Sequence, residues 1–196
     1  MLIPDSCEKW IRLQRSGYKD WRADFWADMK LEYEMMKQYL PKECHCIVDI
    51  GCGVGGIDVF LSKHYGNPDL WLFDNQINSD KVVYGFDNGK SFYNSFEATR
   101  DLMKVNDILN CHLHDIRNRE PAIYGKADLV VSLLSWGYHY PVSEYIDYVY
   151  AILSENGVVI MDVREKTDGI EQLRKVFSCV EIIKTFNKAD RIIARR

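Results

Sequence analysis

The sequence predicts an α/β protein: a doubly wound, seven-stranded, mostly parallel sheet with helices on both faces, a C-terminal antiparallel hairpin and an N-terminal helical extension. Three observations lead to this prediction. A buried apolar segment, Cys46–Ile50, runs directly into a turn with four glycines within six positions. Strand-like and helical patterns then alternate, which is typical of a parallel sheet covered on both faces. Near the end, two strand patterns flank a four-residue turn at 187–190, as in an antiparallel hairpin.

Helical periodicity dominates the first forty residues. A short helix is expected from Ser6 to Arg15. Apolar residues then recur every three to four positions in one stripe, which Pro41 ends. The stripe comprises Trp21, Phe25, Met29, Tyr33, Met36 and Leu40. This pattern is typical of core packing, and its aromatic residues leave open that part of it roofs a substrate pocket.

The remaining elements follow from the alternation of patterns after the first strand. The predicted strands are Leu70–Phe73, Cys111–His114, Ala127–Leu134, Val158–Val163, Val180–Thr185 and Arg191–Ala194, and the predicted helices are Gly56–Tyr65, Asn94–Asn106, Ser143–Leu153 and Ile170–Phe177. Glu155-Asn156-Gly157 is expected to stop the third of these helices. The long connection 76–93 carries a hairpin-type turn at Asp87-Asn88-Gly89 and is interpreted either as a lid or as a surface hairpin.

Length and composition favour one domain over residues 1–196, with a helical cap at 1–43 and the α/β core at 44–196. The net charge of -4 gives no general attraction to nucleic acid or to anionic membranes. No apolar run approaches the roughly 20 residues of a membrane span, and the first residues lack the pattern of a signal peptide. Six scattered cysteines form no disulfide framework, so we expect a cytoplasmic protein with reduced thiols. The spacing of Cys44-His45-Cys46 is poor for zinc, and no metal is predicted.

The glycine turn predicts a site where a ligand approaches the backbone. Glycine is needed there because a Cβ would stand in the way, and the N–H groups of the following helix then face the ligand. The glycines do not identify the ligand by themselves, since Gly51, Gly53 and Gly56 also satisfy the dinucleotide pattern G-x-G-x-x-G.

Acidic residues follow three of the predicted strands. Asp49 lies at the end of the first strand, Asp74 after the second and Asp115 after the third. Ligands of doubly wound sheets bind at these carboxyl ends, and an acid about twenty residues beyond the glycines accepts hydrogen bonds from ribose. A single acid in this position is more often a helix N-cap. Taken together, the three favour a ligand that contains adenosine.

The chain here resembles the class I S-adenosylmethionine (SAM)-dependent methyltransferases, which have a Rossmann-like core. Asp49-Ile50-Gly51-Cys52-Gly53-Val54-Gly55 is similar to their first motif, Asp/Glu-x-Gly-x-Gly-x-Gly. The resemblance implies that Asp74 binds ribose and that Asp115 contacts the adenine amino group. It also covers Ala127–Ser132 and 156–160, which are similar to the fourth-strand and fifth-strand motifs. The implied cofactor-binding residues are Asp49, Gly51, Cys52, Gly53, Gly55, Asp74, Asn75, Asp115, Ile116 and Ser132.

A nicotinamide-dependent oxidoreductase is the alternative among cofactor-binding proteins. Such enzymes usually carry a separate catalytic region, for which 196 residues leave little room. Asp49 and the terminal hairpin also have no obvious role there. The resemblance therefore implies SAM as cofactor and S-adenosylhomocysteine (SAH) as product.

The segment after the fourth strand, 135–141, lies where these enzymes position the methyl acceptor. His139 is the candidate general base, since an unperturbed histidine titrates near neutral pH, and the alternative is a packed or solvent-facing loop histidine. Trp136, Tyr138 and Tyr140 form the candidate acceptor wall, although one of them is also a candidate to stack on adenine.

The absence of several known motifs narrows the class of methyl acceptor. The prolines typical of DNA amino-methyltransferases are absent after the fourth strand, as are the paired glutamates of protein arginine methyltransferases. Ser132 stands where catechol-type enzymes need a metal-binding acid. We therefore expect methyl transfer to a small-molecule hydroxyl, with a sugar as one option, and no nucleic-acid or membrane partner. N-methylation of a small molecule or protein, and non-catalytic SAM binding, stay open, and the sequence predicts no oligomeric state.

Overall fold

The computed structural model describes residues 1–75, 94–124 and 126–196. The predicted turn at Asp87-Asn88-Gly89 and both interpretations of the 76–93 connection lie outside the described residues.

Seven strands form one sheet in the order β3-β2-β1-β4-β5-β7-β6. The strands are β1 (Cys46–Ile50), β2 (Asp69–Asp74), β3 (Cys111–Asp115), β4 (Ala127–Ser132), β5 (Leu153–Arg164), β6 (Cys179–Phe186) and β7 (Ala189–Arg195). The first five pair in parallel, and β7 runs antiparallel to both of its neighbours, β5 and β6. This confirms the predicted fold class, including the terminal hairpin.

Helices cover both faces of the sheet. They are α1 (Glu8–Gln14), α2 (Trp21–Met36), α3 (Gly56–Tyr65), α4 (Phe96–Val105), α5 (Ile146–Ile152) and α6 (Gly169–Val176). One core cluster joins the first four helices to Ile47 and its neighbours, and a second joins α5 and α6 to Val48 and its neighbours. Adjacent residues of β1 thus face opposite sides, because side chains alternate along a strand. All five residues of β1 are buried, as expected for a central parallel strand.

The sheet reverses its order between β1 and β4. From β1 the strands run outward to β2 and β3 on one side, and to β4 and β5 on the other. Such a switch point leaves a crevice at the carboxyl ends of the two central strands. The glycine turn follows β1 and the segment with His139 follows β4, so the topology brings these two distant parts of the chain to one crevice.

Several predicted boundaries differ from the structure. β5 begins at Leu153, directly after α5, rather than at Val158, because Leu153 is already extended and pairs with Ala127. The stop expected at Glu155-Asn156-Gly157 therefore falls within the strand, where the register is irregular. α5 begins at Ile146, since a 3₁₀ turn occupies the residues before it. β4 ends at Ser132, because the chain bends away through Leu134, which has a φ of 54°.

The N-terminal extension packs against the first core cluster. Asp20 caps α2 by accepting hydrogen bonds from two backbone N–H groups of its first turn. Of the predicted stripe, Trp21, Phe25 and Met36 are buried. None of the helices in the described part of the chain has the length and apolar composition that a membrane span requires.

Candidate functional site

A cavity of about 300 Å³ lies at the switch point of the sheet. Nine predicted site residues line it: Asp49, Gly51, Cys52, Gly53, Asp74, Ile116, Tyr138, His139 and Tyr140. Its volume is at the lower end of the range for small-molecule sites. The structure thus brings most of the predicted cofactor residues and the candidate acceptor residues to one cavity.

The glycine turn forms one wall of the cavity. Gly51 has a φ of +82°, and a Cβ there would lie 1.8 Å from the Ser135 Oγ. The turn is therefore pressed against the segment that follows β4. Gly53 also has a positive φ, and it presents its backbone without a side chain. No side chain larger than hydrogen fits Gly51, which explains the glycine after β1 in physical terms.

Asp74 fastens the end of β2 to the glycine turn. Its Oδ2 accepts a hydrogen bond from the Gly53 N–H at 2.7 Å, and its Oδ1 accepts one from the Asn75 N–H at 2.7 Å. Burial raises the pKa of Asp74 to about 6, although these hydrogen bonds oppose the shift. Asp74 lines the cavity, whereas Asn75 does not.

Asn94 supports this arrangement and was not predicted as a site residue. Its Nδ2 donates to the Asp74 Oδ2 at 3.2 Å, while its Oδ1 accepts from the Ser95 N–H and from the Thr99 hydroxyl. The Thr99 hydroxyl also lies 3.0 Å from the Gly53 carbonyl oxygen, to which it donates. Asn94 is buried and lines the cavity. A polar residue before the α4 cap was the only signal for it in the sequence.

Asp115 ends β3 at the edge of this region without lining the cavity. It is buried and forms an ion pair with Arg117, which is half exposed. Ile116, the next residue, does line the cavity. Gly55 likewise stands behind the wall, where it caps α3 in a left-handed conformation.

Asp49 faces a second buried acid, Asp58 in the first turn of α3, which the sequence prediction missed. Asp49 is 2% exposed and Asp58 is fully buried. Among the described residues, no donor makes a hydrogen bond to the Asp49 Oδ1 or to either oxygen of Asp58. Burial raises the pKa of both carboxyl groups, and the two groups lie within hydrogen-bonding reach of each other. The charge of Asp58 adds to the shift at Asp49.

The opposite wall comes from the segment after β4. Tyr138, His139 and Tyr140 line the cavity there. Arg164, at the end of β5, holds this segment: its Nε donates to the Tyr138 carbonyl at 2.7 Å, and its guanidinium lies 4.2 Å from the centre of the Tyr138 ring. Burial and, secondly, the charge of Arg164 lower the pKa of His139. The imidazole is therefore neutral at pH 7 and able to accept a proton.

Trp136 and Ser132 pack behind this wall and do not line the cavity. The Trp136 side chain is fully buried, and its Nε1 donates to the Val142 carbonyl at 2.9 Å. The Ser132 hydroxyl donates to the Ile50 carbonyl at 2.7 Å and accepts from the Trp136 N–H at 2.8 Å. Ser132 thus ties the end of β4 to the end of β1.

The N-terminal helices complete the cavity. Phe25, Met29 and Glu32 of α2 line it, together with residues from the end of α1. The structure therefore places part of the predicted apolar stripe over the site. Glu32 accepts a hydrogen bond at 2.6 Å from the buried guanidinium of Arg191 in β7.

No family model matches the chain, and no curated protein matches it. Solved structures do share its fold. TYW2 from M. jannaschii, solved in complex with AdoMet, is 16% identical, with a TM-score of 0.54 over 85% of this chain and 73% of that one. Precorrin-6y C5,15-methyltransferase from Geobacter metallireducens GS-15 is 17% identical, with a TM-score of 0.61 over 84% and 87%.

An rRNA methylase from Streptococcus thermophilus is 14% identical, with a TM-score of 0.53 over 85% of this chain and 94% of that one. At such low identities the likeness concerns the backbone architecture. The TM-scores show that the fold described above extends over most of each of these neighbours. The chain has the fold of the class I SAM-dependent methyltransferases.

Proposed function

We propose that this protein is a SAM-dependent methyltransferase that acts on a small molecule, with a hydroxyl group as the acceptor. The observation that carries the proposal is the single cavity that joins the glycine turn and Asp74 to the segment with His139. A neighbour named as a methyltransferase shares the fold, and TYW2, another neighbour, was solved in complex with AdoMet.

The cavity wall fits the cofactor. Gly51 and Gly53 expose backbone that a Cβ would cover, Asp74 offers carboxylate oxygens for ribose, and Asp49 brings a second carboxyl group to the cavity wall. We assign the adenine end to Asp115 and Ile116, with Cys52, Gly55, Asn75 and Ser132 as the supporting residues of the predicted set. When bound, SAM would supply a methyl group that its sulfonium activates, and SAH would be the leaving group.

The chain's own task is then to align the acceptor and to exclude water. Tyr138 and Tyr140 form the acceptor wall in this proposal, and Trp136 supports that wall from the core. His139 takes the proton of the acceptor hydroxyl as methyl transfer proceeds. Its lowered pKa supports this role, because a neutral imidazole carries an unprotonated ring nitrogen.

A small acceptor is favoured over nucleic acid by the charge around the cavity. Among the described residues, the lining holds one arginine, Arg15, and four residues with carboxyl groups: Asp49, Asp74, Glu144 and Glu32, the last of which is paired with Arg191. Phosphate groups bind where positive charge is concentrated. The carboxyl groups of this lining also make an amine acceptor the second candidate. The cytoplasmic location expected from the sequence is part of the proposal, and all six cysteines are free thiols in the structure.

Two measurements test the proposal. Calorimetric titration with SAH and with NAD comes first: we expect SAH to bind, and binding of NAD alone would overturn the cofactor assignment. A screen that detects SAH formation over pooled metabolites, sugars, amines, nucleic acids and proteins comes second. Turnover on a sugar or another small alcohol supports the hydroxyl proposal, whereas turnover only on nucleic acid contradicts it. Binding of SAH without turnover on any pool would indicate a SAM-binding protein without catalysis.

A further inference from the structure

Three of the four carboxyl oxygens of Asp49 and Asp58 are buried without a hydrogen-bond donor among the described residues. Three of the five buried side-chain polar atoms without a hydrogen-bond partner in the described part of the chain belong to this pair. Buried polar atoms are nearly always satisfied, so an orphaned cluster calls for a ligand or a proton.

The fold fixes the pair in place. Asp49 is the fourth residue of β1 and lines the cavity, while Asp58 lies behind it in the first turn of α3 and is fully buried. Gly55, one turn earlier, brings the start of the helix close: a Cβ there would lie 3.6 Å from the Asp58 Oδ2. The tight glycine turn therefore keeps both carboxyl groups together.

Two carboxylates in contact away from water cannot both stay ionised. A proton on one of them turns the repulsion into a hydrogen bond between the groups. Among the described residues, the titratable groups that face the pair are Asp74 on β2, Cys52 in the turn and Cys111 on β3, and none of these is a cation. The charge of Arg100 in α4 acts on Cys111. The raised pKa values of both acids agree with a retained proton.

We propose that Asp49 and Asp58 share one proton in the free protein, and that binding of a cationic ligand in the cavity displaces this proton into solvent. A positive group beside Asp49 replaces the proton as the counter-charge of the pair. Asp58 is thus a positioning residue: it touches no ligand, but it sets the charge that Asp49 presents. The inference rests on the proposed cofactor, whose amino-acid end carries a cationic α-ammonium group.

The test is a proton count on the intact wild-type protein. SAM, SAH and 5′-methylthioadenosine are titrated by calorimetry at pH 7.5 in two buffers of different ionisation enthalpy. At that pH Asp74, with a pKa of about 6, is almost fully ionised and contributes little. We expect SAM and SAH to release up to about one proton from the protein. 5′-Methylthioadenosine lacks the amino-acid end and with it the α-ammonium group, and it is expected to release none.

Asp58→Asn provides the matched variant, since its amide donates to Asp49 and removes the need for a shared proton. It is expected to bind SAH with little or no proton release. The α-amino group of the ligand titrates near this pH, but it does so equally with both proteins and cancels in the difference. Asp128→Asn is the control for the exchange of a carboxyl group for an amide. Asp128 lies at the far end of β4 and, unlike the pair, already accepts hydrogen bonds from two backbone N–H groups.

Equal proton release by wild type and Asp58→Asn would overturn the inference, as would equal release with SAM and with 5′-methylthioadenosine. Failure of SAM and SAH to bind at all would instead overturn the proposed function. If the variant does not fold, the three ligands are compared on the wild-type protein at about pH 6.5, where the free α-amino group is almost fully protonated and takes up almost no proton on binding.

Discussion

Arg191 and Asp162 form a bidentate ion pair that is closed off from solvent. The Arg191 Nε donates to the Asp162 Oδ1 at 2.8 Å and its Nη2 donates to the Asp162 Oδ2 at 3.0 Å, with both side chains at most 1% exposed. The Asp162 Oδ2 also accepts from the Leu134 N–H at 3.1 Å. The pair therefore links β7, β5 and the segment after β4, and through Glu32 it reaches α2 as well.

Replacing Arg191 with methionine is expected to destabilise the protein strongly. The change leaves Asp162 buried without its counter-charge, which typically costs about 3–5 kcal/mol. Urea unfolding followed by circular dichroism measures the loss. Arg195→Gln is the control, since Arg195 pairs with Glu181 on the surface and such pairs contribute about 0–1 kcal/mol. Similar losses in the two variants would show that the buried pair has no special role.

Replacing Gly51 with alanine is expected to abolish SAH binding. The Cβ would lie 1.8 Å from the Ser135 Oγ, so the turn or the segment after β4 must move out of place. Gly66→Ala separates the clash from backbone strain, because Gly66 has a similar φ of +72° and open space around its Cβ position. That control is expected to lose about 1–2 kcal/mol of stability and to keep its affinity for SAH. Calorimetry on both variants makes the comparison, and unchanged binding by Gly51→Ala would contradict the cavity assignment.

Replacing His139 with alanine is expected to lower kcat by about 100- to 10,000-fold on a true hydroxyl acceptor, with SAH affinity unchanged. The matched control is His112→Ala, whose ring is half exposed and pairs with Asp69. The pH profile gives a second measurement. Because the pKa of His139 is lowered, kcat/KM should be constant from pH 7 to 8 and decline only below about 6.5. Full activity of the alanine variant would reject the base role.

The shared proton also predicts how stability depends on pH. The unfolded chain releases Asp protons near pH 4, whereas burial keeps a proton on the native pair to higher pH. The folded state then binds more protons, and the free energy of unfolding decreases as the pH rises from about 4 through the raised pKa. Asp58→Asn should therefore gain stability relative to wild type between pH 5 and pH 8, by up to about 1.4 kcal/mol per pH unit. If the free energies of unfolding of wild type and Asp58→Asn, measured with urea, differed by the same amount at every pH in this range, a shared proton would be contradicted.

The alternation of strands and helices and the glycine turn were predictable because they depend on local patterns. Cys46–Ile50 is long enough and apolar enough to be a central strand, and the glycines mark where it must turn. Boundaries that depend on pairing were not predictable. Leu153 joins β5 because Ala127 lies beside it, and nothing local to Glu155-Asn156-Gly157 reveals that neighbour.

The candidate site likewise contains residues whose position the sequence predicted and residues whose position only the structure shows. Asp49, Gly51 and Asp74 stand at strand ends, where the sequence alone indicates a ligand. Trp136 follows a strand too, but the structure buries it as a support of the cavity wall, since its indole N–H finds a partner at Val142. Exposure at a strand end depends on which side chains the rest of the chain places nearby.

The sequence by itself determined the fold class and predicted where a cofactor binds, because periodicity and turn chemistry are properties of neighbouring residues. Only the tertiary structure decided that Asp58 faces Asp49, that Asn94 holds Asp74, and that Arg191 joins Asp162 to Glu32. These contacts bring together residues from separate elements, and their energies come from burial and from charge at close range. No pattern along the chain records either quantity.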